Sequence, residues 1–120
     1  MSKPEARVAL VTGANRGLGF ETSRQLLAKG FKVVLAGRDD AALARAYGTL
    51  SQPEQRRATT VRMDVTDTES IAAAQRTVAE RIGRVDVLVN NAAVLLFEND
   101  DVLSIPPDAY RRTFEPMSWA

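Results

Sequence analysis

Residues suited to holding an anion cluster in Thr12-Gly13-Ala14-Asn15-Arg16-Gly17-Leu18-Gly19. Glycines spaced Gly-x-x-x-Gly-x-Gly let a backbone turn sharply and approach a phosphate closely. A helix starting at their end would offer unpaired N–H groups and the positive end of its dipole. The spacing differs from the general Gly-x-Gly-x-x-Gly fingerprint, so a glycine-rich turn without a ligand stays open as the alternative. Other chemistries are closed off by composition. The 120-residue chain has no His and no Cys, which excludes disulfides, thiol nucleophiles, Ser-His-Asp catalysis and the usual zinc ligand sets. Sixteen Lys and Arg against fifteen Asp and Glu give a net charge of +1, so neither a nucleic acid nor a membrane partner is expected. The apolar share of 45% and charged share of 26% suit one globular domain over residues 1–120. With neither a signal-peptide pattern nor a spanning apolar run, the expected location is cytoplasmic.

The elements that must position this loop follow from apolar patterning. Val8-Ala9-Leu10-Val11 reads as a strand buried on both faces. After the glycine loop, Leu18, Thr22, Leu26 and Lys29 predict one side of a helix, with Leu27 beside it and Gly30 as C-terminal cap. Val33-Val34-Leu35-Ala36 is a second buried strand, closed by Gly37-Arg38. Asp39 or Asp40 caps a second helix to about Leu50, and 51–57, with Pro53, reads as a surface loop. Thr59 to Met63 is a third strand ending at Asp64. Thr66-Asp67-Thr68-Glu69 predicts a capping box for a third helix, whose buried face carries Ile71, Val78 and Ile82 and which Gly83 ends. Val85 to Val89 is a fourth strand running into Asn90-Asn91-Ala92-Ala93. An acidic loop over 98–107 then leads to a last helix capped by Asp108. Strands alternating with helices of 10–15 residues mean βαβ units and a parallel sheet.

With these motifs in this order, the chain resembles the short-chain dehydrogenase/reductase family. Thr12 to Gly19 matches its T-G-x-x-x-G-x-G, Asp64-Val65 its acidic residue after the third strand, and Asn90-Asn91-Ala92-Ala93 its N-N-A-G with Ala93 in place of Gly. The wording from Ala14 to Glu21 looks most like carbonyl-reductase-type members. The resemblance implies an α/β, Rossmann-type, doubly wound parallel sheet, truncated to strand order 3-2-1-4, and an NADP-binding half-domain. It implies that Gly13, Asn15, Arg16, Gly17, Leu18 and Gly19 wrap adenosine and pyrophosphate, with the Leu18 N–H near a phosphate. Asp64 would accept from the adenine amino group with Val65 beside the ring; Asn90 and Ala92 would border the ribose, and Asn91 would brace the fourth strand. Asp64 as a mere loop or cap residue remains the alternative.

Charge argues the choice of cofactor. An acidic residue ending the second strand would bind the ribose 2′-hydroxyl and repel a 2′-phosphate. Here Gly37 and Arg38 stand there, and Arg16 lies in the glycine loop. Two guanidiniums at the family's NADP-discriminating positions suit a phosphate dianion, so the cofactor expected is NADP. The alternative is two solvated surface arginines. The partner expected is this small-molecule dinucleotide, together with self-association along an apolar fourth strand left at the sheet edge.

The family's chemistry also needs a Tyr-x-x-x-Lys pair, a Ser and an Asn. Four residues beyond Tyr47 and Tyr110 stand Ser51 and Phe114, and Lys3, Lys29 and Lys32 all precede both tyrosines. No catalytic residue is therefore assigned, and a non-catalytic dinucleotide-binding or interaction module is the alternative function. After Glu115 the family runs on as Thr-Asn-Val-Leu-Gly, whereas this chain reads Pro116-Met117-Ser118-Trp119-Ala120. The codons ACC AAT GTC CTG GGC G, read without their first base, encode that pentapeptide. The expectation is a frameshifted, truncated reading frame of an NADP-dependent oxidoreductase acting on carbonyls or alcohols.

Overall fold

The computed structural model describes residues 6–90 and 93–96, with Leu103, Pro106 and Pro107. Most of the expected 98–107 loop, the helix from Asp108, Asn91, Ala92 and residues 116–120 lie outside the described residues. The elements are β1 (Val8–Thr12), α1 (Gly17–Ala28), β2 (Lys32–Gly37), α2 (Asp40–Gly48), α3 (Gln52–Gln55), β3 (Ala58–Arg62), α4 (Thr68–Arg81), β4 (Val87–Asn90) and β5 (Ala93–Leu96). None of the described helices is long and apolar enough to cross a membrane.

The sheet order is β3-β2-β1-β4-β5, with the first four strands parallel. Chain order runs outward from β1 to β3, then returns to the other side of β1 for β4. The reversal leaves a crevice beyond the carboxyl ends of β1 and β4, where open α/β sheets bind ligands. Period-two alternation divides the strand residues between two cores. Val11, Val33 and Leu35 pack with Leu27 of α1 and Leu43 of α2 on one face. Leu10, Val34, Ala36, Val61 and Leu88 pack with Ile71, Ala74 and Val78 of α4 on the other. Leu10, Leu27, Leu35, Leu43 and Ile71 are fully buried. A sheet covered on both faces explains why its strands read as unbroken apolar runs.

Four expectations need correction. The buried side of α1 is Gly19, Ser23 and Leu27, whereas Leu18 is 66% exposed and Lys29 is also exposed. Small residues form this stripe because the helix start lies against the end of β1. A Cβ on Gly19 would stand 2.3 Å from the Gly13 carbonyl oxygen. The 51–57 segment is not a plain loop but holds α3, started by a capping box between Ser51 and Glu54. Conversely, Thr66 makes no capping box; Asp67 caps α4 by accepting from the Glu69 and Ser70 N–H groups. The fourth correction concerns the edge. β5 pairs antiparallel with β4, from Val87 opposite Leu96 to Asn90 opposite Ala93, so β4 is flanked on both sides. Unpaired strand groups demand partners, and the extended Ala93–Leu96 supplies them. The expected self-association along β4 loses its exposed edge.

Asp86 ties β1 to the approach to β4. The Val8 N–H donates to its Oδ2 at 3.0 Å, the Arg84 Nε donates to its Oδ1 at 2.8 Å, and the Asp86 N–H donates to the Val8 carbonyl at 2.9 Å. Burial pushes the carboxyl up, but the Val8 and Arg84 hydrogen bonds and the Arg84 and Arg7 charges outweigh it. The net effect holds Asp86 below the usual 3.8. A depressed carboxylate contributes stability above its unfolded value and loses it as pH falls through the folded one. Thermal melts at pH 7 and pH 3 should therefore show a smaller acid-induced loss in Asp86→Asn than in the parent chain. Gly19→Ala should cost about 1–3 kcal/mol in denaturant unfolding, because the clash is with backbone that no side-chain rotation relieves.

Candidate functional site

The crevice is an open cleft of ≈ 1210 Å³ at the carboxyl end of the sheet. It is walled by the turn from β1 into α1, by Gly37 to Asp39 after β2, by one side of α2, by Met63 and Val65 after β3, and by Asn90 of β4. The structure thus brings together Gly13, Asn15, Arg16, Gly17, Leu18, Gly19, Arg38, Val65 and Asn90 in one cleft. Asp64 is half-buried between two lining residues but does not itself line the space. Ala92 lies outside the described residues.

Local geometry explains the glycine loop. Gly13 and Gly17 take φ of +59° and +58°, the left-handed region that a side chain strains. Between them, the Ala14 N–H donates to the Ala36 carbonyl at 3.1 Å and ties the loop to the end of β2. Arg16 then caps α1 in extended conformation without a side-chain hydrogen bond, and the first turn carries no acidic residue. The first helical bond comes from the Phe20 N–H to the Arg16 carbonyl at 3.3 Å. Among the described residues, nothing accepts from the N–H groups of Gly17, Leu18 and Gly19. Three orphaned donors lie at the positive end of a 12-residue helix, on residues that line the cleft. Leu18 is exposed because its main chain, not its side chain, is what the turn offers.

The second wall carries the charge. Arg16 and Arg38 are exposed and line the cleft, and neither forms an ion pair among the described residues. Asp39, next to Arg38, also lines the cleft, but it makes no ion pair with either arginine. Asp39 Oδ1 accepts from the Ala41 and Ala42 N–H groups at 2.9 and 3.3 Å as the N-cap of α2. Asn90 is a different kind of feature. It is 8% exposed and lines the cleft, yet no hydrogen bond to its side-chain amide is formed among the described residues. A buried amide without a partner costs free energy unless a ligand or water satisfies it.

Asp64 is held in place rather than free. Its Oδ1 accepts from the Thr66 N–H at 2.9 Å and the Thr66 hydroxyl at 2.6 Å. These two bonds, with the nearby Arg38 and Arg62 charges, keep its carboxyl below the usual range. It is therefore an acceptor at neutral pH.

Sequence reading missed the α2 wall. Ala42, Arg45, Ala46 and Thr49 recur at helical spacing and line the cleft together. Arg45 lacks an acidic residue three or four positions away, which was the available signal. Gly37 was read as the end of a strand and as the place where an acidic residue is missing, not as a packing position. A Cβ there would stand 3.1 Å from Asn15 Oδ1 and 3.3 Å from Leu43 Cδ2, so its bareness seats Asn15.

The donor set suits a phosphorylated ligand. The family model for short chain dehydrogenase matches residues 7–117. A (+)-neomenthol dehydrogenase of Arabidopsis thaliana is 39% identical over 97 residues, covering 78% of this chain and 33% of that protein. The structure of menthone neomenthol reductase from Mentha piperita superposes with a TM-score of 0.69 at 32% identity, over 97% of this chain and 41% of that one. An archaeal alcohol dehydrogenase from Thermococcus sibiricus, complexed with 5-hydroxy-NADP, superposes with a TM-score of 0.64 at 33% identity, over 70% of this chain and 36% of that one. The chain thus spans well under half the length of these relatives. Motif order, sheet order and sequence agree, and the chain belongs to the short chain dehydrogenase family.

Proposed function

We propose that the cleft binds NADP(H) and that the chain is the cofactor-binding part of an oxidoreductase acting on carbonyls or alcohols. The observation that carries this is the pairing of two anion sites in one cleft. Orphaned N–H groups at Gly17 to Gly19 suit a pyrophosphate. The unpaired guanidiniums of Arg16 and Arg38 suit a phosphate dianion on the neighbouring ribose. Asp39, spent on capping α2, does not compete for them. Asp64 and Val65 would take the adenine edge and face, and Asn90 and Ala92 the ribose. The bound 5-hydroxy-NADP of the archaeal alcohol dehydrogenase supports the assignment.

When bound, the reduced nicotinamide would supply a hydride to a carbonyl carbon, and the oxidised form would take one from an alcohol carbon. Reduction also requires an acid for the carbonyl oxygen, which the family takes from its Tyr-x-x-x-Lys pair. This chain's own residues bind and orient. Arg16 and Arg38 neutralise charge, the α1 N–H groups fix the phosphates, and Asn90 gains a partner for its buried amide.

Titration calorimetry of the purified chain should show tighter binding of NADPH than of NADH. Arg38→Asp should weaken NADPH by about 1.5–3 kcal/mol, the worth of a hydrogen bond to a charged group, and leave NADH nearly unchanged. Equal affinity for both cofactors would remove the 2′-phosphate assignment. The purified chain should oxidise no NADPH with aldehydes, ketones or quinones in a spectrophotometric assay. Turnover by the 120-residue chain would show that the acid comes from a residue other than a Tyr-x-x-x-Lys pair.

A further inference from the structure

The turn after β3 holds a carboxylate that is fixed on one side only. Asp64 Oδ1 accepts two hydrogen bonds from Thr66, from its hydroxyl at 2.6 Å and its N–H at 2.9 Å. The Asp64 main chain is committed as well. Its N–H donates to Ser70 Oγ at 2.8 Å, and its carbonyl accepts from the Asp67 N–H at 3.0 Å. Ser70 is buried in the first turn of α4, and Asp67 caps that helix. The turn is therefore bolted to α4, and Met63 and Val65 on either side of Asp64 line the cleft. Asp64 Oδ2 accepts no hydrogen bond among the described residues.

We propose that Thr66 is a positioning residue for base recognition, its hydroxyl holding Asp64 Oδ1 so that Oδ2 is presented to the amino group of adenine. This rests on the dinucleotide reading above and goes one residue beyond it. A short carboxylate side chain on a turn can rotate, and the exposed Arg38 and Arg62 guanidiniums near it would compete for both oxygens. Two bonds from one neighbour to one oxygen suppress that rotation. The free oxygen then accepts from an exocyclic amino group. It rejects a base carrying a carbonyl at that position, because two acceptors would face each other. Thr66 touches no ligand itself; it acts through Asp64.

The test compares the adenine and hypoxanthine forms of the same dinucleotide phosphate by calorimetry on the purified chain. The parent chain should bind the adenine form at least about tenfold tighter, the low end for a hydrogen bond to a charged group. Thr66→Val should reduce that preference to within about threefold, Thr66→Ser should retain it, and Asp64→Ala should abolish it. Thr66 is exposed, so the melting temperatures of its variants should match the parent. Thr66→Ala, which removes the hydroxyl without adding a branch, serves as a second variant and should behave as Thr66→Val. An unchanged preference in Thr66→Val and Thr66→Ala overturns the role of Thr66, as does an equal fall in Thr66→Ser. An unchanged preference in Asp64→Ala overturns it too, by removing Asp64 from the base, while leaving NADP(H) binding intact. Failure of the parent chain to bind either form overturns the dinucleotide reading and this proposal with it.

Discussion

The first turn of α1 lies so close to the end of β1 that no side chain fits between them. The Gly13 carbonyl occupies the space a Gly19 Cβ would need. That contact determines where the helix starts and therefore where its orphaned N–H groups point. The left-handed turns at Gly13 and Gly17 exist to deliver the chain to it. Ser23 continues the small stripe, its hydroxyl donating to the Gly19 carbonyl at 2.8 Å, before Leu27 enters the core. The other end of the helix is fastened by Arg57, whose guanidinium donates to the Leu27 and Phe31 carbonyls. The helix is thus fastened at both ends.

Around that anchor the charges are arranged so that cations stay available and anions are engaged. Asp39 binds the N-terminus of α2, Asp67 that of α4, and Asp86 links β1 to the approach to β4. Among the described residues, Arg16, Arg38 and Arg45 enter no ion pair, and all three line the cleft. A chain of near-zero net charge can thereby hold a locally cationic cleft. Sheet topology places it: the switch between β1 and β4 opens the crevice onto which all these groups converge.

Much of this was legible in the amino-acid order because buried parallel strands and glycine turns leave strong local marks. Val8-Ala9-Leu10-Val11 and Val33-Val34-Leu35-Ala36 each announce a strand covered on both faces, and the sheet order 3-2-1-4 was implied by the resemblance that the glycine loop, Asp64-Val65 and Asn90 to Ala93 carry. The buried face of α1 was not legible from hydrophobicity. Its contact is made by Gly19 and Ser23, so an apolar pattern drawn through Leu18 follows the wrong side. The capping role of Asp67 was masked by Thr66, whose hydroxyl turns back to Asp64. β5 was overlooked although Ala93-Val94-Leu95-Leu96 is itself an apolar run, because Ala93 was read as the end of the Asn90-Asn91-Ala92-Ala93 motif. At the site, the glycine loop, Arg38 and Val65 were readable as a motif. The α2 wall with Arg45 and Thr49 appears only once helix and cleft are placed together.

The central claim is that the exposed start of α1 receives the phosphates of a dinucleotide. Amide chemical shifts of the 15N-labelled chain, followed on titration with NADPH, test it most directly. The account predicts that the Gly17, Leu18 and Gly19 amides move most, downfield as their protons gain acceptors, while the amides of α4 from Ala74 onward stay in place. Saturable binding that leaves those three amides unmoved would contradict it.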